Sequence, residues 1–170
     1  MTLDELIKAM EPQNRKDKLL IAKCIDGLTE YAAELRQRAG DAGKAQTPVL
    51  RYMVEGLECY WGLDDGGTDY MAAFDRRMQE ADQAKRPWTP TQEQMCAAVQ
   101  GLYRYAMDMI PSQGFNDARG PVADCEKLMR EIAGFWDFDS LVLDNLCTQM
   151  NASLREQEAW ENAVEMGGIQ

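Results

Sequence analysis

Apolar residues recur at intervals of three and four along most of the chain, and no long alternating segment appears. Val and Ile are sparse, so strand signals are nearly absent and the pattern predicts an all-α fold, a single-domain bundle of about seven helices. The clearest stripe runs from Asn14 to Ala39, where Ile21, Cys24, Ile25, Leu28, Tyr31, Ala32 and Leu35 share one helical face before Gly40 supplies a stop. Upstream, Thr2 and Glu5 frame a T-x-x-E capping box. It predicts a short first helix ending near Met10, before Pro12.

Thr47-Pro48 and Thr89-Pro90 each place a capping hydroxyl before a proline, whose missing N–H costs nothing in a first helical turn. They predict one helix through Met53 and Leu57 to Tyr60-Trp61. A second passes through Met95, Val99, Leu102 and Tyr105 to Ile110, before Pro111. Gly120-Pro121 opens a comparable segment ending at Phe135-Trp136. The proline spacings of 42 and 31 residues do not make a repeat. Between these lies a helix from about Thr68 to Ala84, carrying Tyr70, Met71, Phe74 and Met78. Loops are expected at Gly62 to Gly67 and Pro111 to Gly120, and no Ser/Pro/Gly-rich linker divides residues 1–170.

The last segment breaks its own period. Leu143, Cys147, Met150 and Leu154 form one stripe, yet its continuation lands on Glu158, Glu161 and Glu165, while Ala159, Trp160, Ala163 and Val164 fall on roughly the opposite side. Ser153 and Glu156 resemble a capping box, so a break or bend is expected near Asn151 to Ser153, with a final helix, about 154–166, docked separately.

Charge sharpens this picture. The 170 residues hold 18 Lys and Arg against 29 Asp and Glu, a net charge of −11 with a pI near 4.5. That balance argues against direct binding to nucleic acid or anionic membrane, both of which need clustered cations. Residues 1–44 carry eight basic and eight acidic side chains. In residues 131–170, Glu131, Asp137, Asp139, Asp144, Glu156, Glu158, Glu161 and Glu165 face Arg155 alone, giving −7. Such a face either keeps a helix surface solvated or meets a basic partner. On a regular helix Glu158, Glu161 and Glu165 rise about 4.5 and 6 Å from one to the next, comparable with successive phosphates.

There is no histidine. Ser-His-Asp triads, Cys-His dyads, His-ligated zinc and HExxH helices are therefore closed. Cys24, Cys59, Cys96, Cys125 and Cys147 are an odd, dispersed set without CxxC. They read as reduced thiols filling apolar runs. The first residues carry acid where a signal peptide carries base, and no apolar run approaches the ~18 residues of a span, so a cytoplasmic protein is expected. No motif calls for a cofactor.

Two acidic groups invite a metal reading. Glu55 and Glu58 are spaced as ExxE, the arrangement with which all-α nucleotide pyrophosphohydrolases hold Mg²⁺, but no matching ExxD follows downstream. Asp64, Asp65 and Asp69 surround Gly66-Gly67 without the order of an EF-hand loop, and read as a turn. The eleven Met and four Trp suit a helical core. Trp61, Trp88, Trp136 and Trp160 nevertheless sit near helix ends, where interface anchors occur, and Asp137 and Asp139 flank Phe138 just after Trp136.

A small, acidic, helical, histidine-free chain with scattered Trp resembles the DNA-mimic and anti-CRISPR inhibitors of phages and other mobile elements, in composition and charge layout. The resemblance implies binding, through an acidic face, to the basic surface of a nucleic-acid-handling host protein such as a CRISPR effector subunit. Trp136, Asp137, Asp139, Asp144, Glu158, Glu161 and Glu165 are the partner-binding candidates of this sequence. Two other readings stay open: a metal-dependent nucleotide hydrolase at Glu55 and Glu58, and a helical protein whose C-terminal helix pairs with its own copy. Whether Arg15, Lys16, Lys18 and Lys23, in an N-terminal segment of balanced charge, form a separate contact surface stays open.

Overall fold

A computed structural model describes residues 3–63 and 67–168, with side chains described for residues 17–63 and 67–167. The fold is all-helical, and the described residues contain no strand. Six α-helices, α1 (Leu3–Ala39), α2 (Asp41–Trp61), α3 (Tyr70–Gln83), α4 (Gln92–Gln113), α5 (Phe115–Phe135) and α6 (Ser140–Ala163), are followed by a π turn at Val164–Gly168. They form two compact units whose boundary falls within α4, residues 1–98 and 99–170. No described helix is long and apolar enough to cross a membrane.

The apolar stripes find their places. Ile21, Cys24, Ile25, Leu28, Tyr31, Ala32 and Leu35 are all buried on α1, as are Met95, Val99, Leu102, Tyr105 and Ile110 on α4 and Leu143, Cys147, Met150 and Leu154 on α6. Phe74 and Met78 do the same for α3. Each fully buried Leu or Ile side chain contributes about 2 kcal/mol by leaving water.

Several predicted boundaries move, and prolines account for most of the movement. Pro12, Pro48, Pro111 and Pro121 all lie inside helices rather than at their ends. A proline removes one donor from the ladder, a penalty that a long packed helix can absorb. Thr47 does not cap. Its hydroxyl donates to the Gly43 carbonyl at 3.3 Å and accepts from Arg36 at 3.0 Å, while α2 begins at Asp41. The true cap of α4 is Thr91, whose Oγ1 accepts from Gln94 N–H at 3.1 Å while Gln94 Oε1 accepts from Thr91 N–H at 2.8 Å. This reciprocal box displaces the predicted start at Thr89-Pro90 by two residues. At α3, Asp69 accepts from Ala72 N–H at 3.0 Å and so fixes the start near the predicted one. The Thr2–Glu5 box lies outside the described residues.

Within the first unit, α1, α2 and α3 pack on one another, and the first turns of α4 close on α1. Gly27 makes that approach: a Cβ there would sit 2.3 Å from the Gln94 carbonyl oxygen and 3.1 Å from Ala98 Cβ. Cys24 Sγ donates to Ala98 O alongside, at 3.4 Å. Gln37, further along α1, ties in α3 and the segment after it, donating to Ala81 O at 3.0 Å and accepting from Trp88 N–H at 2.7 Å. The rim is tied by bidentate Arg36–Asp82 and Arg51–Asp75 pairs.

The Gly27 contact predicts an inverted propensity effect. Ala is favoured over Gly by about 1 kcal/mol in a helix interior, yet Gly27→Ala should lower unfolding free energy by about 1–3 kcal/mol, because backbone must move; a stabilised variant in urea titration would contradict the close approach. Acid should act through the ion pairs. The guanidinium groups of Arg51 and Arg36 hold the Asp75 and Asp82 carboxyls below their ordinary 3.8. Folded values below unfolded ones mean that the stabilisation is complete above pH 3.8 and fades as pH falls through the folded values. Asp75→Asn and Asp82→Asn should therefore flatten the acid limb of the stability curve, read by denaturant titration at stepped pH.

Candidate acidic groove at the end of the α5–α6 hairpin

In the second unit α5 and α6 form an antiparallel hairpin, and the turn joining them is built from acidic residues. Trp136 ends α5, its N–H reaching Ile132 O at 3.0 Å, and Asp137 takes the left-handed conformation at φ 54°. Phe138 N–H then returns to Ala133 O at 3.0 Å, the six-to-one bond of a Schellman stop. Asp tolerates this backbone better than most L-residues. Asp139 opens α6 by accepting from Leu141 N–H at 2.9 Å, and Asp144 accepts from Arg130 at 3.0 Å. The Trp136 ring tilts against Phe135 at 4.3 Å. Phe135, Leu141 and Val142 stay exposed around them.

At the opposite end of the hairpin, Gly114 separates α4 from α5 at φ 87°. It has no side chain with which to cap α5. Glu161, reaching across from α6, supplies the cap: both carboxylate oxygens accept from Phe115 N–H, at 3.2 and 3.3 Å. An anion here also faces the positive end of the α5 dipole. Gln157 donates to the same carboxylate at 3.4 Å. A Cβ on residue 114 would lie 2.8 Å from Glu161 Oε1, so glycine serves both backbone and cap.

This end opens into a groove of about 440 Å³, lined on one side by Gln113 to Asp117 and on the other by Glu158, Trp160, Glu161, Asn162, Val164 and Glu165. Asp117, Glu158, Glu161 and Glu165 put four carboxylates on the wall, and the lining includes neither Lys nor Arg. Trp160 is 61% exposed at its edge.

The seven candidate residues therefore separate into two groups. Glu158, Glu161 and Glu165 meet at the groove; Trp136, Asp137, Asp139 and Asp144 lie at the far end of the hairpin. α6 runs through Asn151 to Ser153 without a break, which corrects the expected interruption there. Asn151 instead donates to Cys147 O at 2.9 Å and to Glu126 at 3.2 Å. The buried face turns acidic because Glu161 is needed at the α5 terminus, while Ala159, Trp160 and Ala163 face water. Glu165 falls in the π turn, so the regular helical rise holds from 158 to 161 only. Sequence reasoning missed Asp117, whose place on the wall depends on α5 starting at Phe115.

The other candidates are distributed elsewhere. Glu55 is exposed and Glu58 half-buried on α2, and among the described residues no three acidic or thiol groups come together as metal ligands. Asp64 and Asp65 lie outside the described residues, as do the side chains of Arg15 and Lys16; Lys18 and Lys23 are exposed. All five cysteines are reduced. Cys24, Cys125 and Cys147 are buried, whereas Cys59 is exposed and Cys96 half-buried, which corrects the expectation that each fills the core. Burial pushes the Cys125 thiol well above its usual range and raises that of Cys147, opposite to what a nucleophile requires.

Comparison with protein-family models, with curated proteins and with solved structures found no match in any of the three.

The capping geometry makes two substitutions diagnostic. Gly114→Ala should cost about 1–3 kcal/mol from its glycine-only backbone at φ 87° and ψ 166° alone, and more from the Glu161 contact. Asp139→Ala should cost about 1 kcal/mol for its lost cap. Thermal unfolding checks both, and a neutral Gly114→Ala would refute the assigned turn.

Proposed function

We propose that the chain is an acidic protein-binding inhibitor that docks its second unit onto the basic surface of a nucleic-acid-handling protein, such as a CRISPR effector subunit, where nucleic acid would otherwise sit. The groove lined by Asp117, Glu158, Glu161 and Glu165 without a lining cation carries this reading. Residues 99–170 hold five basic and twelve acidic side chains, so this unit supplies −7 of the net −11. Carboxylates in a concave wall focus negative potential, and a partner Lys or Arg entering it meets the exposed Trp160 ring, which favours a cation over its face. Glu161 remains tied to Phe115, leaving Glu158 and Glu165 as the residues best placed to bind.

A second reading has its own support. Trp160 and Met166 are 61% and 88% exposed near the end of α6, and an apolar edge of that kind also suits pairing with a second copy.

The test separates charge from folding by leaving Glu161 intact. Captured from nuclease-treated host lysate, a nucleic-acid-binding protein should be retained by wild type and released by rising salt or added nucleic acid. Glu158→Lys with Glu165→Lys should weaken that capture about tenfold or more, with an unchanged melting temperature. Equal retention by the double variant would refute the groove as the contact. Capture of the chain's own copies, with a dimer mass by light scattering, would move the assignment to self-pairing.

A further inference from the structure

The first unit carries an opposite feature. Where the end of α1 meets the start of α2 and the segment between α3 and α4, a groove of about 640 Å³ is lined by Arg36, Arg38, Lys44, Lys85 and Arg86 against only Glu34 and Asp82. Two of these cations already have work within the fold. Arg36 holds Asp82 and Thr47, and Arg38 holds Glu34 at 2.7 Å. Both also belong to the last turn of α1, where cations offset the negative end of the helix dipole. Lys44, Lys85 and Arg86 are different: all three are exposed, and none forms an ion pair among the described residues. Lys44 is close enough to Asp82 to help hold its carboxyl down.

We propose that this groove binds a phosphate-bearing small molecule, its phosphate held by Lys44, Lys85 and Arg86 and its remainder lying along Trp88. Lys44, Lys85 and Arg86 all line this groove, and a multiply charged anion bound there offsets the repulsion of like charges while gaining charge-assisted hydrogen bonds. Arg86 brings a planar fork suited to two phosphate oxygens, and the lysines act as point charges. Trp88 is held by its indole N–H, which donates to Glu30 at 2.5 Å, and by Arg77, which lies 5.6 Å from its ring centroid. The groove has the volume of an ordinary small-ligand site. The net −11 of the chain does not forbid an anion here, because screening confines distant carboxylates to within about 8–10 Å at ordinary salt.

Isothermal titration of the full chain with inorganic pyrophosphate and with ADP tests this directly. Both should bind at up to millimolar concentration, and Lys85→Ala with Arg86→Ala should weaken them at least about tenfold with no change in melting temperature. Tighter binding of ADP, lost in Trp88→Leu, would identify a nucleoside phosphate; equal binding of the two would identify the phosphate group alone as the recognised ligand. No binding of either compound, or binding unchanged by the double variant and by Lys44→Ala, would overturn the proposal. None of these residues belongs to the acidic groove, so the outcome is independent of the partner reading.

Discussion

The contact between the Glu161 carboxylate and the Phe115 amide organises the second unit. Helix α5 begins directly after a glycine that brings no capping group, and the carboxylate that caps it comes from a helix 46 residues later. That single requirement explains why the buried face of α6 changes from Leu and Met to Glu, and why residue 114 is glycine. It also explains why a groove opens where the two helix ends meet. An acidic stripe read as surplus charge is, at its central position, a part of the fold.

The same division runs through the other acidic residues. Asp139 starts a helix, Asp137 occupies the left-handed position of a stop, and Asp144 is paired with Arg130. Their charge still contributes to the field around the hairpin, but their hydrogen bonds are committed to structure. Glu158, Glu165 and Asp117 are the groove carboxylates not assigned a cap, and the exposed Trp160 stands beside them. In the first unit the same division is seen among the cations of one groove: Arg36 and Arg38 are committed to Asp82 and Glu34, while Lys44, Lys85 and Arg86 are exposed along it. The two grooves are thus of opposite sign, within a chain whose overall charge hides the positive one.

Helix content and core faces were legible in the sequence because they depend on local period. The stripes from Ile21 to Leu35 and from Leu143 to Leu154 are buried as their spacing predicts. Helix ends were less legible, because two Thr-Pro pairs mimic a capping device: α2 runs straight through the pair at 47–48, and α4 starts just after the pair at 89–90. The working caps, Thr91 with Gln94 and Asp69, carry an equally local signal that a search keyed to proline passes over. The groove was half legible. Glu158, Glu161 and Glu165 stand out as a break in period, whereas Asp117 and the cation cluster come together only through contacts between segments far apart in sequence.

Amide hydrogen exchange at Phe115 tests the organising contact most directly. Phe115 should be protected in the wild-type chain, and Glu161→Ala should accelerate its exchange while the middle turns of α5, around Cys125 and Met129, keep their protection. Exchange at Phe115 that is unaltered by Glu161→Ala would show that the α5 terminus does not depend on this carboxylate, and would remove the structural reason given for the acidic turn of α6.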